Sequence, residues 1–199
     1  MIAFNHIRRS LKPILALAIL VLGVGLICWP FLPNVTWWWH KTVNPTAASH
    51  ATAALAAASA GPSGSAALKA NTLIIPKLDL AEQVYEGSSE ATLDQGVWHR
   101  PHTSTPDQGG NTVLAGHRFT YSGRSQVFYH LDKLAVGDAI TMYWGGQQYT
   151  YKVSAIRVVS PNDLAVEQNT TDARLTLYTC TPLWSDKHRL VIVAERVNR

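Results

Sequence analysis

The fold is decided by one stretch near the C-terminus, Arg174-Leu-Thr-Leu-Tyr-Thr-Cys180-Thr-Pro-Leu-Trp-Ser-Asp-Lys-His-Arg189-Leu-Val-Ile-Val-Ala-Glu195. Both ends are rich in residues that favour β-strands, and Pro182 with the polar Ser-Asp pair interrupts the middle. The pattern predicts two strands joined by a loop, with Cys180 ending the first and Arg189 opening the second. A thiol and a guanidinium on neighbouring strand ends favour an activated thiolate beside a fixed anion-binding group.

The chain before this stretch alternates short apolar runs with turn residues. Further strands are predicted over 72–76, 81–85, 111–115, 139–144 and 148–159, with short helical segments over 88–93 and 128–134 and a loop over 96–111. Gly145-Gly146 is typical of a two-residue hairpin turn. Roughly eight short strands with little helix predict an all-β fold, a small closed β-barrel. Residues 72–199 are numerous enough to bury its core.

The first third of the chain has a different composition. It lacks charged residues from Pro13 to Trp39, and the apolar run over 13–32 reaches the length of about 20 residues that spans a membrane. Three basic residues precede it, so the positive-inside rule places residues 1–12 in the cytoplasm. We expect an uncleaved, single-pass signal anchor in the plasma membrane, with the remaining chain extracellular. A cleaved signal peptide is the alternative.

Residues 33–71 are predicted to form an interfacial segment followed by a linker. Trp37, Trp38 and Trp39 suit the interface between membrane and water. Residues 46–70 are mostly Ala, Ser, Thr, Gly and Pro without apolar periodicity. We expect a mobile spacer that holds the domain over 72–199 away from the membrane.

Charge and cysteine content restrict the class of partner and of chemistry. The net charge is +4, but the basic residues are scattered, which argues against nucleic acid as a partner. Cys28 lies in the apolar run, so a disulfide with Cys180 is not expected. Cys180 is then the one thiol of the extracellular domain and a candidate reactive thiol. The alternative is a small residue of the core.

The run Thr176-Leu-Tyr-Thr-Cys180, followed by Arg189, resembles the Thr-Leu-x-Thr-Cys…Arg signature of the sortases, the cysteine transpeptidases of Gram-positive-type cell surfaces. The resemblance begins at about Thr72 and covers the last two-thirds of the chain. It implies a closed eight-stranded β-barrel. Ala-Gly-His117-Arg matches the family's histidine, so the implied catalytic residues are Cys180 as nucleophile, His117 as general acid and base, and Arg189 as anion clamp.

Each of these residues has an alternative interpretation. His117 is then an ordinary surface or core histidine, and Arg189 forms a salt bridge with Asp186 or Glu195. His99, His102 and His117 also suggest zinc, although their spacing is a weak signal. We expect no metal and no cofactor.

Four further residues are predicted to bind substrate. Tyr178 shares a strand face with Cys180 because side chains alternate along a strand. The backbone N–H of Thr179 is a candidate donor to an oxyanion. Trp98 and Trp184 are placed in loops that flank the groove, where each either covers the groove or packs on the surface.

The implied reaction is transpeptidation. Cys180 attacks the carbonyl of a Thr in a sorting motif near the C-terminus of an exported protein, and an amine from the cell wall or a pilin resolves the thioacyl intermediate. A cysteine peptidase that only hydrolyses and a catalytically inactive surface-binding barrel are the alternatives. The Cys180–Arg189 run resembles pilin-polymerising sortases, whereas the short domain resembles housekeeping and class D or E members, so the class stays open.

Overall fold

The computed structural model describes residues 3–29, 35, 39, 50–59, 71–120 and 125–197. The chain divides into two units, Met1–Ala47 and Ala48–Arg199. The first unit contains helix α1 (Ala3–Cys28). Over the residues described with their side chains, no helix is long and apolar enough to cross a membrane. Trp37, Trp38 and the predicted linker over 60–70 lie outside the described residues.

The second unit is a closed barrel of eight strands. They are β1 (Thr72–Ile75), β2 (Leu80–Glu86), β3 (Val97–His99), β4 (Asn111–Ala115), β5 (Ala139–Trp144), β6 (Gln147–Val159), β7 (Arg174–Thr181) and β8 (His188–Arg196). Their order around the barrel is β1-β2-β3-β4-β7-β8-β6-β5, and β5 pairs with β1 to close it. The β2–β3 and β4–β7 pairs are parallel and the others antiparallel. The predicted barrel is confirmed.

Strand β3 lies inside the stretch 96–111, which the sequence predicts as loop, and that prediction is wrong for these three residues. Three residues are too few to show an alternating pattern. The strand exists because β2 and β4 supply hydrogen bonds on both sides of it. The predicted helical segments appear as short 3-10 helices, Glu90–Asp94 and Leu131–Lys133.

The hairpin between β5 and β6 forms as predicted. Trp144 pairs with Gln147, which leaves a two-residue turn. Gly145 and Gly146 have φ angles of 56° and 80°. Both residues of a type I′ turn need positive φ, and glycine adopts it without strain.

Alternation along β7 separates the core from the site. Leu175 and Leu177 are fully buried inside the barrel, so Thr176, Tyr178 and Cys180 lie on the opposite, outer face. Residues on the inner faces of other strands complete the core, including Leu73, Val84, Val97, Leu114, Ile140, Met142, Tyr151 and Ile192. The outer face of β4, β7 and β8 is therefore available for a binding groove.

Helix α2 (His50–Ser59) packs on the outside of the barrel. Ala51 is fully buried against Ile74 and Tyr143, and its backbone N–H donates to Asp79 Oδ1 at 3.1 Å. The expected mobile spacer is wrong over these residues. Alanine favours the helix, and its small side chain allows the helix to approach the sheet closely.

Candidate active site

Cys180 and Arg189 are directly opposite each other on adjacent antiparallel strands. Cross-strand partners project from the same face of a sheet, so the thiol and the guanidinium lie side by side on the outer face. Cys180 is half-buried, and both Cys180 and Cys28 are free thiols. The cysteine is therefore reachable from outside the barrel, contrary to its alternative interpretation as a core residue.

His117 reaches the same place through the parallel pairing of β4 with β7. Ala115 pairs with Tyr178, and the N–H of Gly116 donates to the Tyr178 carbonyl at 3.3 Å. The two strands thus end beside each other, with His117 following one and Cys180 ending the other. His117, Cys180 and Arg189 line a single cavity of about 330 Å³. The structure brings together the three predicted catalytic side chains.

Position 116 has to be glycine because neighbouring side chains leave no room for a Cβ atom. A Cβ atom at this position would lie 2.6 Å from Phe128 Cδ2 and 2.7 Å from Val127 Cγ2, closer than packed carbon atoms approach. The absence of a side chain therefore lets the end of β4 pass close to a neighbouring aromatic ring. Any larger residue would displace the segment that carries His117.

Asp94, which the sequence reasoning missed, contacts His117. Its Oδ1 lies 3.3 Å from His117 Nε2, and both side chains are partly exposed. A carboxylate bonded to one ring nitrogen fixes the orientation of an imidazole and leaves the other nitrogen for chemistry. Asp94 ends the 3-10 helix Glu90–Asp94, and no local motif links it to a histidine so distant in sequence.

The guanidinium of Arg189 is held by the loop between β7 and β8. Its Nη1 donates to the backbone carbonyls of Asp186 at 2.8 Å and His188 at 3.3 Å. Arg189 makes these contacts with backbone carbonyls, whereas the alternative interpretation predicts a salt bridge with Asp186 or Glu195. Nη1 makes both bonds, so the guanidinium has further N–H groups with which to bind an anion.

Tyr178 lines the cavity, as predicted, and is tied to two residues that were not. Its hydroxyl donates to Glu167 Oε1 at 2.8 Å. Arg100 donates to the same carboxylate, from Nε at 2.7 Å and from Nη2 at 3.4 Å. Burial raises the pKa of Tyr178 well above its ordinary value, and the bond to Glu167 adds to the rise. The phenol is therefore a neutral hydrogen-bond donor at physiological pH.

Arg100 joins this network to Trp98. Its guanidinium lies 4.2 Å from the centre of the Trp98 ring, a cation–π contact. Burial alone would lower the pKa of Arg100, but the bond to Glu167 and nearby charges raise it. Arg100 and Glu167 come from separate connections, β3–β4 and β6–β7, which is why the sequence does not reveal their pairing.

The other predicted substrate-binding residues have mixed outcomes. Trp98 is in strand β3, not in a loop; it is 2% exposed and its Nε1 donates to the Gly87 carbonyl at 2.9 Å. It lines the cavity as part of the wall. Thr179 is buried, and its hydroxyl donates to the Gly116 carbonyl at 2.7 Å. Trp184 is in the β7–β8 loop, as expected, and is 44% exposed.

Trp184 borders a second cavity, of about 220 Å³, which Cys180 also lines. The Trp184 ring lies 3.9 Å from that of Phe119, centroid to centroid. Arg118 closes the base: it donates to Thr181 Oγ1 at 2.8 Å and pairs with Asp132 at 3.2 Å. The sulfur therefore lies between two cavities, and the structure separates the predicted tryptophans, Trp98 beside one and Trp184 beside the other.

The ring nitrogens of His99 already have partners in the barrel wall. Nδ1 lies 3.2 Å from Glu86 Oε1, and Nε2 lies 3.0 Å from the Ser104 carbonyl. Within the described ranges, His, Cys, Asp and Glu side chains form no group of three or more that could hold a metal ion.

A half-buried cysteine, a histidine and an arginine that line one groove outside a β-barrel define a class of protein: a barrel with a thiol site suited to acyl chemistry. The chain belongs to the sortase family, since the Sortase domain model matches residues 73–197. The resemblance inferred from the Thr-Leu-x-Thr-Cys motif is confirmed.

Curated relatives come from several sortase classes. The chain is 34% identical over 141 residues to Sortase SrtE1 of Streptomyces coelicolor, covering 63% of this chain and 39% of that protein. It is 29% identical over 129 residues to Sortase D of Bacillus subtilis, covering 63% and 62%. It is 33% identical over 131 residues to Sortase A of Staphylococcus aureus, covering 61% and 62%. The chain thus spans less than two-thirds of the length of these relatives.

Solved structures show the same barrel. A sortase D5 transpeptidase of Clostridium perfringens superposes with a TM-score of 0.58 at 28% identity, covering 65% of this chain and 79% of that one. Sortase C-1 of Actinomyces oris gives 0.59 at 31%, covering 65% and 74%. A sortase C of Streptococcus pneumoniae, described in terms of pilin substrate specificity, gives 0.58 at 30%, covering 64% and 66%.

Proposed function

We propose that this chain is a membrane-anchored cysteine transpeptidase. It cleaves a sorting motif near the C-terminus of exported proteins and transfers the acyl fragment to a cell-surface amine. The observation that carries the proposal is the convergence of Cys180, His117 and Arg189 on one cavity. Family membership supports it, because the solved relative from Clostridium perfringens is described as a transpeptidase.

The first half-reaction forms a thioester. The Cys180 thiolate attacks the carbonyl carbon of a Thr, and the negative charge that develops on the oxygen is stabilised by Arg189. The C–N bond then breaks, and His117 donates a proton to the departing amine. Asp94 holds the imidazole in place during this transfer.

The second half-reaction reverses the roles. An amine attacks the thioester carbonyl, His117 removes its proton, and the C–S bond breaks to regenerate the thiolate. Water in place of the amine gives hydrolysis. We propose a cell-wall amine or a pilin lysine as the acceptor; the pilin specificity of the Streptococcus pneumoniae relative supports the second.

The proposed location is the plasma membrane, with the N-terminus in the cytoplasm and the barrel outside. The apolar composition of residues 13–32 and the basic residues before them support this placement. Cell fractionation with external protease tests it. Loss of the barrel from intact protoplasts, with a membrane-retained N-terminal fragment, is expected; a fully protected chain would contradict the orientation.

A thioacyl trap tests the reaction. The full chain in detergent is incubated with a library of peptides that contain one fixed Thr and randomised flanking residues, then weighed by mass spectrometry. We expect an adduct on Cys180 that is absent from Cys180→Ala. Adding an amine separates the alternatives: a ligated product indicates a transferase, whereas free acid alone indicates a peptidase. Peptide binding without any adduct would indicate a surface-binding barrel.

A further inference from the structure

One wall of the larger cavity is attached to the barrel by a three-residue clamp, Arg100–Glu167–Tyr178. Glu167 is the last residue of the 3-10 helix Leu164–Glu167 in the β6–β7 connection. Its carboxylate accepts from Arg100 at 2.7 Å and from Tyr178 at 2.8 Å. The clamp therefore joins three separate parts of the chain, the β3–β4 connection, the β6–β7 connection and strand β7.

A second set of bonds holds the same wall at the residues that flank Glu167. The buried Asn111 side chain donates from Nδ2 to the carbonyls of Val166 at 3.0 Å and Gln168 at 2.9 Å. Its backbone N–H donates to Asn169 Oδ1 at 3.0 Å, and its Oδ1 accepts from Thr176 at 2.7 Å. The C-terminal end of the wall is therefore held by bonds at Glu167 and on both sides of it, and a segment fixed in this way costs less ordering when a peptide binds.

The clamp lies at a defined distance from the nucleophile. Tyr178 precedes Cys180 by two residues on the same strand face, which corresponds to about 6.6 Å along β7. A peptide bound in extended form along this strand places its residues at nearly the same spacing. With the scissile carbonyl at Cys180, Tyr178 and Glu167 lie beside a residue about two positions away.

We propose that Glu167 is a positioning residue for the recognised segment of the sorting peptide. By binding Arg100 and Tyr178 together, it fixes the wall formed by residues 164–167 in the geometry that receives the peptide side chain two positions from the scissile bond. This inference rests on the proposed function, since it assigns a role within the same groove. Glu167 does not touch the reacting atoms, so its effect is on peptide affinity and selectivity.

The variants are Glu167→Gln, Tyr178→Phe and the two combined, with Glu195→Gln as the matched control. Glu195 is an exposed carboxylate on β8 and is not among the residues that line the cavity. Release of the leaving peptide is followed at several peptide concentrations with the full chain in detergent. The most reactive sequence of the fixed-Thr library is the probe.

Glu167→Gln is expected to raise KM about tenfold and to change kcat by less than about twofold, since a charge-assisted bond is lost from the binding wall only. Tyr178→Phe raises KM about threefold. The combined variant resembles Glu167→Gln, because both changes break the same contact and are not additive. The control stays at the wild-type value. The library profile broadens at the position about two residues from the Thr carbonyl.

Two measurements distinguish a role of Glu167 in peptide binding from the proposed reaction at Cys180. Peptide affinity in a Cys180→Ala background is measured by fluorescence anisotropy, which requires no catalysis, and Glu167→Gln is expected to weaken it about tenfold. Labelling of Cys180 by a small methanethiosulfonate reagent is expected to be unchanged. Unaltered KM and affinity would overturn the role of Glu167, as would parallel losses in Tm, labelling and kcat. The same affinity loss in a protein that forms no thioester would refute only the reaction.

Discussion

The two cavities that meet at Cys180 have walls of different construction. The wall formed by residues 164–167 is bonded to distant parts of the barrel by side chains, through Asn111 and the Arg100–Glu167–Tyr178 clamp. The β7–β8 loop, beside the smaller cavity, is bonded mainly to itself: the N–H of Ser185 donates to the Pro182 carbonyl, and that of Lys187 to Ser185 Oγ. The first wall is therefore held by contacts with other parts of the barrel, and the second mainly by hydrogen bonds within its own loop.

This difference in bonding affects how each wall meets a ligand. A wall that is held by buried and charged bonds presents one shape and discriminates among ligands. A loop held by local bonds, with Trp184 44% exposed and in contact with Phe119, is expected to adjust to different molecules at lower cost. On the proposed function, the larger cavity reads the peptide motif, and the smaller cavity admits the acceptor amine.

The largest effect is expected from Arg189→Lys, at the boundary between the two walls. Lysine keeps the charge but loses the planar fork that the loop carbonyls orient. We expect kcat to fall about 10²- to 10³-fold, as for loss of an oxyanion donor. Steady-state kinetics measure this, with the exposed Arg157→Lys as control. Activity close to wild type would mean that charge alone suffices and that the loop contacts have no catalytic purpose.

Asn111→Ala breaks the fixed wall and is expected to affect stability most. The Asn111 side chain is buried, and its removal leaves two backbone carbonyls and the Thr176 hydroxyl without this partner. A buried polar group left without a hydrogen-bond partner costs about 1–3 kcal/mol. We expect a total loss of about 2–3 kcal/mol in the free energy of unfolding. Urea denaturation measures it against Asn162→Ala, an exposed position. Equal losses would show that the wall is not anchored at Asn111.

Asp94→Asn tests the support of His117 independently of either wall. The amide retains a hydrogen-bonding group but loses the charge that orients the imidazole. Because both side chains are partly exposed, the effect is modest, about three- to tenfold in kcat with KM unchanged. The exposed Asp107→Asn is the control. An increase in KM alone would assign Asp94 to peptide binding instead.

The smallest effect concerns the pH dependence of stability and the half-buried His130. Burial lowers the pKa of His130, and the positive charges of Lys133 and Arg118 lower it further. The negative charge of Asp132 acts in the opposite direction, but the pKa remains below its ordinary value. The unfolded chain therefore binds a proton more readily, so this contribution to stability is present above a pH of about 6.5 and is lost as pH falls toward the lower folded value. We expect His130→Gln to flatten the decline in stability between pH 7 and 5, as measured by urea denaturation; an unchanged slope would contradict this.

Local sequence was sufficient for the parts of the fold that depend on neighbouring residues. The β-forming residues over 175–179 and the apolar run over 190–193 identified β7 and β8, alternation put Tyr178 on the face of Cys180, and Gly145-Gly146 identified the hairpin. The Thr-Leu-x-Thr-Cys motif with the following Arg189 identified two catalytic candidates and the Ala-Gly-His-Arg match identified His117; the strand register then placed the three together. Each of these features is recognised from residues that lie close together in the sequence.

The missed features depend on contacts between distant segments. Strand β3 requires two neighbours to exist, and helix α2 is stabilised by burial against Ile74 and Tyr143 that composition alone does not show. Asp94 reaches His117 and Glu167 reaches Arg100 only after the barrel closes. Trp98 was placed in a loop because the sequence around it contains several turn residues, whereas tertiary pairing put it in the wall.

A sulfur atom that borders two separate chambers has a consequence for the timing of the reaction. On the proposed function, the acyl group can remain in the cavity of about 330 Å³ while the cleaved fragment departs and the next reactant arrives through the cavity of about 220 Å³. The two reactants then never need to occupy the protein together. Double-reciprocal plots at several acceptor concentrations should give parallel lines, the kinetic pattern of a double displacement.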